Sequence, residues 1–472
     1  MKAPLYNGLM NYSHTKKTFH MPGHKLGSFG DLNTLELMRL DVTEANGLDN
    51  LYEAEGIIKE AMEELSRFYG SKETIMLTNG STAGILASIL TLCKPGEKLL
   101  VARNCHHSVW HGLILSGAIP IYIEPEYDTE TGLLIEMKKE TIEKALEQHP
   151  DAKGVLIVSP TYEGVVSDIE GIEEVVHQKD KCLIVDEAHG AHFVLDDYFP
   201  KSSLELGADI VIQSMHKTLP TLTQSALLHI GTRRINKEAL VKSLRMIQTS
   251  SPSYAMMGLM DYIRAYIEQY KEDIKEEYIK PLEESRKALK ELEHLSLIEY
   301  LSFYDKSKII ISTDHTLIDG YKLADLLEEN YDIVCEAALP HYIILMTTLA
   351  DNEKTLGFLV EALQKIDKSL TKAVKQTDKE NKVDLKKLYG TETFSPRDIY
   401  YAEEENKPLE YCEGFISKEN IMLYPPGIPI LCIGEVITKE HIDLINQWKD
   451  KLKGIIRDKD KIICKVARVD LQ

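Results

Sequence analysis

The chain has 472 residues, a formal net charge of −20 and a pI near 5.3. This length predicts two or three domains rather than one small core. Hydrophobic residues make up 43% and charged residues 28% of the sequence, a balance that excludes global disorder. The acidic charge argues against a nucleic-acid partner, because binding phosphates requires a basic field.

The start of the sequence and the cysteines predict where the protein works. Residues 1–6 are followed by polar and basic residues, so no secretory signal is expected. No apolar run reaches the roughly 20 residues that cross a bilayer, so no membrane partner is expected. The seven cysteines contain no C-x-x-C pair. They are therefore expected to be reduced thiols of a cytoplasmic protein, with no zinc or other metal site.

The predicted elements begin with an extended arm and continue as an α/β pattern. The arm covers residues 1–50, and a helix follows over residues 51–69 and ends at Gly70. Short apolar strands then alternate with helical patterns. The predicted strands lie at residues 75–77, 98–101, 119–123, 154–158, 182–185 and 209–212. Four are nearly continuous apolar runs, typical of strands covered by helices on both faces, so the alternation predicts a mostly parallel sheet.

The second half of the chain has a different pattern. A long charged helix is predicted over residues 262–295, interrupted only by Pro281, and would link two domains. Shorter strands and helices follow, with an exposed connection at residues 372–387 and a Pro- and Gly-rich turn at residues 424–429. The pattern predicts an N-terminal arm (1–50), a large domain (51–295) and a C-terminal α+β region (296–472).

Polar residues follow two of the predicted strands, at the edge where doubly wound sheets bind ligands. Residues 78–84 open a helix, so that Ser81, Thr82 and free backbone N–H groups form a cup for an anion such as phosphate. Asp186 follows the strand that ends at Val185, and a carboxylate is costly to bury there unless a cation pairs with it. Taken alone, each is also typical of an ordinary cap.

A third polar cluster, residues 214–218, contains Lys217. A lone lysine is usually a surface residue, but a lysine at the mouth of a sheet can be desolvated, which lowers its pKa and makes the amine a nucleophile. Ser214 and His216 beside it are candidate phosphate ligands. An anion cup, a carboxylate and a lysine about 30 residues later are what pyridoxal phosphate requires. The cup would hold the phosphate, Asp186 would pair with the pyridine nitrogen, and Lys217 would form the Schiff base.

Six motifs in order resemble those of the Orn/Lys/Arg decarboxylase family, in the short form that has no N-terminal receiver-like domain. They lie at residues 19–25, 103–106, 186–192, 214–220, 249–254 and 424–429, so the resemblance runs nearly end to end. It implies the aspartate-aminotransferase-like fold (fold type I), a large α/β domain with a mostly parallel sheet and a smaller α+β C-terminal part. It also implies pyridoxal phosphate as the cofactor and a homodimer with shared active sites.

The resemblance implies a role for each matching residue. Those that would contact the cofactor are Ser81, Thr82, His106, Asp186, His189, Ser214, His216, Lys217, Thr249 and Ser250. His106 would stack on the pyridine ring, His189 would lie near the ring and its substituents, and the loop at residues 249–251 would reach the cofactor of the partner subunit. Catalysis would depend on Lys217, His216 and His189.

The implied reaction is decarboxylation of a basic amino acid to the amine, for polyamine synthesis. Arginine is favoured, and lysine and ornithine are possible. The cationic side chain requires an acidic partner, and the candidates are Asp41, Glu44, Asp49 and Glu435. Two departures from the family pattern stand out. His107 replaces the lysine that commonly follows the stacking histidine. Residues 433–435 (Ile-Gly-Glu) replace Pro-Gly-Glu at a place where family members shape the pocket, so this second departure bears on the choice of substrate.

Other functions remain open at this point. A fold type I aminotransferase or carbon–sulfur lyase is the nearest alternative, and Arg397 and Arg103 are the candidates for the arginine with which aminotransferases clamp the α-carboxylate. Residues 186–189 (Asp-Glu-Ala-His) spell the Walker B box of a helicase, but the phosphate loop that such a helicase requires is missing from the sequence. A metal site at Asp186, His189 and His192, or a binding protein without a cofactor, are further alternatives.

Overall fold

A computed structural model describes residues 17–19, 49–126, 128, 135–299, 304–371, 393–423, 428–449, 452–458 and 461–467. Nearly all of the predicted arm and connection, and most of the turn at residues 424–429, lie outside the described residues. The helices are α1 (Ile57–Tyr69), α2 (Gly80–Leu92), α3 (His107–Ser116), α4 (Lys139–Gln148), α5 (Ile169–Gln178), α6 (Met215–Thr218), α7 (Lys237–Ile247), α8 (Tyr254–Gln269), α9 (Lys271–Ile274), α10 (Lys280–Leu289), α11 (Gly320–Tyr331), α12 (Glu353–Ser369), α13 (Pro396–Tyr401) and α14 (Lys439–Trp448).

The strands are numbered in the same way. They are β1 (Lys17–Phe19), β2 (Glu73–Leu77), β3 (Lys98–Ala102), β4 (Ile119–Ile123), β5 (Gly154–Val158), β6 (Cys182–Asp186), β7 (Ile210–Gln213), β8 (Ala226–Ile230), β9 (Ser296–Leu297), β10 (Lys308–Ser312), β11 (Ile333–Cys335), β12 (Ala337–Ala338), β13 (Tyr342–Met346), β14 (Glu404–Pro408), β15 (Ile416–Ser417), β16 (Ile421–Leu423), β17 (Ile428–Leu431), β18 (Leu452–Lys453), β19 (Ile456–Asp458) and β20 (Lys461–Ala467).

A seven-stranded sheet forms the centre of the fold, in the order β2-β8-β7-β6-β5-β3-β4. The neighbours from β7 to β4 pair in parallel, whereas β8 is antiparallel to β2 and β7. All six predicted strands lie in this sheet, which confirms the α/β fold class. Sequence reasoning missed β8, because His229 interrupts its apolar run. His229 is buried and bonds to Thr74 and Gln213.

Helices cover both faces of the sheet, as the apolar strands predict. Every residue of β6 is buried. Side chains of a strand point alternately to opposite faces, and Leu183 and Val185 accordingly belong to one hydrophobic core, whereas Ile184 belongs to another. The carboxyl ends of β5, β6 and β7 therefore meet at one edge of a layer that both cores hold in place.

The helix predicted at residues 262–295 is wrong as a single helix. The chain forms α8, ends that helix before Tyr270, and continues as α9, one π-helical stretch and α10. Pro281 lies in the first turn of α10, where the missing N–H of proline costs little. Helical periodicity continues across such a break, so the apolar pattern alone did not reveal it.

Smaller sheets follow the central one in sequence. Strands β9, β10, β12 and β13 form an antiparallel sheet in the order β12-β13-β10-β9, β1 pairs with β11, and strands β14 to β20 form two more sheets. This agrees with the smaller α+β part of the fold. The predicted boundaries at residues 50 and 295 stay predictions.

Candidate active site

A cavity of about 770 Å³ lies at the carboxyl edge of the central sheet. The segments that follow β2, β6 and β7 all contribute to it, so the three polar clusters of the sequence come together. Among the described residues, the lining includes Ser81, Thr82, His106, Asp186, His189, Ser214, His216 and Lys217. Eight of the ten predicted cofactor residues therefore meet in one place.

One end of the cavity is suited to a phosphate. Ser81 lies in the first turn of α2, where backbone N–H groups have no partner within the helix. Its Oγ lies 2.6 Å from Oγ of Ser214, and both hydroxyls face the cavity with Thr82. His216 lines the same region, and its Nδ1 lies 3.0 Å from the carbonyl oxygen of Ser225. Hydroxyl and amide donors therefore converge on a site with the chemistry of an anion cup.

Asp186 lies at the end of β6 and is 5% exposed. Burial raises the pKa of its carboxyl, while Lys217 and the backbone N–H of Ala188 act in the opposite direction. That N–H, 3.1 Å away, is the hydrogen-bond donor to this side chain among the described residues. The carboxylate therefore keeps acceptor capacity toward the cavity, and a cation there would compensate its burial. This is the environment that a protonated pyridine nitrogen requires.

Lys217 lies in α6, a single turn that begins directly after β7 and Ser214. Burial lowers the pKa of its amine, although Asp186 and Glu336 act in the opposite direction. The Nζ atom lies 3.2 Å from Nε2 of His189. An amine with a lowered pKa is a nucleophile at lower pH than an exposed lysine, which fits the formation of a covalent bond with a cofactor.

His189 lies between two lysines. Its Nε2 faces Lys217, and its Nδ1 lies 2.9 Å from Nζ of Lys308, the first residue of β10. Burial, reinforced by the positive charges of both lysines, lowers the pKa of His189 well below the usual range, so the imidazole is neutral. Sequence reasoning missed Lys308 as a site residue. The signal that could have found it is a lysine at the start of the apolar run 308–311.

Three side chains that sequence reasoning missed also line the cavity. Tyr162 and Glu163 come from the loop after β5, and Glu336 comes from the link between β11 and β12. The hydroxyl of Tyr162 donates to Oε1 of Glu336 at 2.6 Å. Burial raises the pKa of Glu163, whose Oε1 accepts a 3.3 Å hydrogen bond from Tyr342. Acidic residues in a loop of mixed composition carry no distinguishing pattern, so they could not be selected from the sequence.

His106 and His107 lie at the mouth of the cavity. Both are exposed, and their ring centroids are 3.7 Å apart. His106 precedes α3, and its Nδ1 accepts a hydrogen bond from the backbone N–H of Ser108 at 3.3 Å. The position at the cavity agrees with a stacking role for His106, and that role stays a prediction.

Thr249 and Ser250 are exposed and do not line the cavity of their own chain. The carbonyl of Thr249 accepts a 2.6 Å hydrogen bond from Tyr52, and its N–H donates to Oδ1 of Asn79, a residue of the cavity wall, at 3.5 Å. The loop is therefore attached beside the site. Its proposed reach into a partner subunit stays a prediction.

The other predicted charged candidates lie elsewhere. Asp41 and Glu44 are outside the described residues. Asp49 accepts hydrogen bonds from the backbone around the start of α1, and against the raising effect of burial these donors lower its pKa to about 2. Asp49 is therefore a helix-capping residue rather than a ligand for a substrate cation.

The arginine candidates for a carboxylate clamp are also occupied. Arg103 forms a buried pair with Glu435, with Nη1–Oε1 at 2.5 Å and Nη2–Oε2 at 2.8 Å, which removes Glu435 as the ligand for a substrate cation. Arg397 donates to the carbonyls of Ile114 and Leu115 at the end of α3. Among the described residues that line the cavity, none is an arginine.

The described part of the chain contains no group of three or more His, Cys, Asp or Glu side chains arranged to hold a metal ion. His192, a candidate ligand in the sequence, pairs with Asp305 at 2.9 Å. None of the described helices is both long enough and apolar enough to pass through a membrane.

Comparison with known proteins agrees with the site. The model of the family "Orn/Lys/Arg decarboxylase, major domain" matches residues 3–310. The arginine decarboxylase of Bacillus subtilis is 34% identical, over 94% of this chain and 93% of its own length, and the protein YaaO of the same organism is 36% identical over 98% of both chains. The constitutive lysine decarboxylase of Escherichia coli superimposes with a TM-score of 0.78, at 20% identity, over 98% of this chain and 82% of its own.

These matches exclude the helicase, and they confirm the fold, the cofactor and the class of reaction that the motifs predict. The chain belongs to the Orn/Lys/Arg decarboxylase family, whose members use pyridoxal phosphate to remove the carboxyl group of a basic amino acid.

Proposed function

We propose that this protein decarboxylates arginine to agmatine for polyamine synthesis, with lysine and ornithine as the alternative substrates. The observation that carries this choice is the similarity, along nearly the whole chain, to a protein named arginine decarboxylase. Likeness to the lysine decarboxylase is limited to the fold at 20% identity, so it weighs less in the choice of substrate.

The cavity has a residue for each part of pyridoxal phosphate. Ser81, Ser214 and the first turn of α2 would hold the phosphate, Asp186 would pair with the pyridine nitrogen, and Lys217 would hold the cofactor covalently. When bound, the cofactor supplies a ring that accepts the electron pair left at the α-carbon after carbon dioxide departs.

The protein side chains control protons and water around that ring. Burial raises the pKa of Asp186, and a protonated ring nitrogen beside it would compensate a negative charge at the base of the cavity. His189 is neutral, and its ring lies 3.2 Å from the Lys217 nitrogen and 2.9 Å from the Lys308 nitrogen, so it can give a proton to Lys217 while it takes one from Lys308 when the amine is released. Lys217 is then placed to return a proton to the α-carbon. Because these groups are buried, few waters compete with them for that proton.

Glu336 is the proposed partner of the substrate guanidinium. Three carboxyl groups line the described cavity: Asp186, Glu163 and Glu336. Asp186 is assigned to the ring nitrogen, and burial raises the pKa of Glu163, which favours its neutral form. Glu336 therefore remains as the carboxylate that could accept hydrogen bonds from a planar cation, with Tyr162 orienting it.

Replacement of Glu336 with glutamine should raise the KM for arginine about 10-fold or more, with a smaller change in kcat. A hydrogen bond to a charged group contributes about 1.5–3 kcal/mol, and the neutral amide loses most of it. Steady-state kinetics would measure the effect, with Glu329→Gln, at an exposed position of α11, as the matched control. An unchanged KM in Glu336→Gln would remove this residue as the cation ligand.

A product assay separates the proposed reaction from its alternatives. The protein is incubated with arginine, lysine and ornithine in turn, and carbon dioxide, amine and keto acid are measured. Agmatine and carbon dioxide from arginine in preference to the other two would support the proposal. Keto acid without carbon dioxide would instead favour an aminotransferase, against which the absence of a lining arginine among the described residues already argues.

The partner and location are proposed with the function. We expect a homodimer in which the exposed loop at Thr249 and Ser250 approaches the partner's cavity. Light scattering would test the assembly, and the expected mass of the wild-type particle is at least twice that of one chain. All seven cysteines are free thiols, and six of them are buried, which supports a reducing compartment such as the cytoplasm.

A further inference from the structure

Lys308 is a buried cation next to the catalytic residues, and it comes from a different sheet. It is 1% exposed, begins β10, and places its Nζ 2.9 Å from Nδ1 of His189, which follows β6. A buried lysine is costly unless a specific partner compensates it. The contact with His189 joins a smaller sheet to the active site through one hydrogen bond.

The loop after β5 makes room for this side chain. Gly164 has a φ of +98°, and a Cβ added there would lie 2.9 Å from Cγ of Lys308. The carbonyl of Gly164 accepts a 2.8 Å hydrogen bond from the N–H of Asp305, which holds the loop against the turn before β10. The ring centroid of Tyr162 lies 5.5 Å from the Lys308 Nζ. The backbone thus provides a narrow slot that aims the amine at His189.

Charged groups from several elements face this slot. Burial and the charge of Lys217 lower the pKa of Lys308, the carboxyl groups of Asp305, Glu336 and Glu163 oppose them, and the resulting pKa is about 8. Lys217 has two such carboxyl groups near it, Asp186 and Glu336. Three carboxyl groups therefore favour the ammonium form of Lys308, and two favour that of Lys217.

The groups around His189 all change its pKa in the same direction. Burial lowers its pKa, as do Lys217, Lys308, His106 and His192. The imidazole is consequently neutral and carries a single proton, on one ring nitrogen or the other.

We propose that Lys308 is a positioning residue of the active site, whose ammonium donates to Nδ1 of His189 and so keeps the ring proton on Nε2, facing Lys217. An ammonium group has donors only, so Nδ1 must present its lone pair, and the single proton of a neutral imidazole must then lie on Nε2. The Nε2–H group donates across 3.2 Å to the Lys217 amine. Lys308 thereby orients the imidazole and favours an unprotonated nitrogen on Lys217.

This inference rests on the proposed roles of Lys217 and His189 but not on the identity of the substrate. The first test therefore needs no turnover. Nitrogen NMR of the protein labelled at histidine, with and without pyridoxal phosphate, reports the tautomer of each ring. The His189 signal is identified as the one lost in His189→Gln. The expected result in wild type at pH 7 is a proton on Nε2; a proton on Nδ1 would overturn the proposal.

The pH dependence of the same signal has a defined sign. Below about pH 8 Lys308 is an ammonium and can only donate a hydrogen bond to Nδ1 of His189. Above that pH it is a neutral amine, which can also accept a hydrogen bond from an Nδ1–H group. The preference for the Nε2–H tautomer is therefore lost as the pH rises. The His189 nitrogen signals should shift with a midpoint near pH 8. This measurement uses the wild-type protein, so it decides the matter even if a Lys308 variant fails to fold. Signals that do not change between pH 7 and 9 would contradict the assignment.

Variants then connect the tautomer to the reaction. Lys308→Met keeps the length of the side chain and removes the ammonium, and Lys306→Met makes the same change two residues away, over the ring of Tyr198. Lys308→Met should lower kcat about 10- to 100-fold, as is usual when an orienting partner of a histidine is lost, with KM changed less than about twofold. The NMR preference for Nε2–H should be lost with it.

Lys306→Met should leave both readouts at wild-type values. Loss of activity in Lys308→Met with the His189 tautomer unchanged would indicate a merely structural role and would overturn the proposal. The His189 tautomer could instead behave as expected while the wild-type protein does not decarboxylate arginine. That result would contradict the proposed function and leave the role of Lys308 intact.

Discussion

Replacement of Lys217 with alanine is expected to abolish both decarboxylation and the covalent attachment of pyridoxal phosphate. Lys217 combines a pKa lowered by burial with a 3.2 Å contact to the neutral imidazole of His189. Neither feature survives without the amine. The rate should fall at least about 10³-fold, since removal of a nucleophile is among the largest single effects on an enzyme.

The measurements follow attachment and rate separately. Visible absorbance reports the bound cofactor, and borohydride reduction followed by mass spectrometry of the peptide that contains residue 217 reports the covalent bond. Lys201→Ala, at an exposed lysine, is the matched control and should retain both. Covalent cofactor or wild-type turnover in Lys217→Ala would refute the assignment of this lysine.

Replacement of Asp186 with asparagine is expected to lower kcat about 10²- to 10³-fold while the cofactor remains covalently attached. The amide has the same shape but no charge, so it cannot stabilise a protonated pyridine nitrogen, and preorganised charges of this kind typically contribute that much. Lys217 is unchanged in this variant. Attachment without turnover therefore distinguishes Asp186→Asn from Lys217→Ala.

The same substitution has an expected effect on stability with a defined sign. Burial raises the pKa of Asp186 in the folded protein, so the folded state binds that proton more tightly than the unfolded state, and rising pH destabilises the cofactor-free fold through this group. At neutral pH the uncharged asparagine removes that cost. Cofactor-free Asp186→Asn should thus melt at the same temperature as cofactor-free wild type or higher.

Thermal unfolding and steady-state kinetics check both expectations. Asp180→Asn, at a side chain that is 93% exposed, is the control and should match wild type in every respect. A marked loss of stability in cofactor-free Asp186→Asn would mean that the carboxylate is structural. Full activity in the loaded variant would show that the ring nitrogen has another partner.

The chemistry-bearing residues near strand ends were predictable from the sequence. Ser81, Asp186 and Lys217 each follow an apolar run, and the carboxyl ends of parallel strands meet at one edge of a sheet. That rule brings the three residues together without any knowledge of their distances, and the structure places them around one cavity. Motifs in the right order then predicted the family, which the comparisons confirm.

Residues contributed by the second sheet were not predictable in the same way. Lys308 lies 91 positions after Lys217 in the chain, and a lysine at the start of a strand is ordinarily an exposed end. Only the packing of the start of β10 against the segments that follow β5 and β6, with Gly164 leaving a slot, places its amine 2.9 Å from His189. The same holds for Glu336, which no local pattern distinguishes from the other acidic residues of this acidic chain.

Tertiary structure also decided between candidates of equal merit in the sequence. From the sequence, Arg103 was a candidate for binding the α-carboxylate and Glu435 a candidate for binding the substrate cation. In the fold they pair with each other, because a direct bidentate contact compensates two buried charges most effectively. The sequence by itself determined the class of fold, the cofactor and the type of reaction, since these depend on local patterns and their order. The surroundings of His189 and the ligand of the substrate cation depend on contacts between distant segments, and only the folded chain brings those segments together.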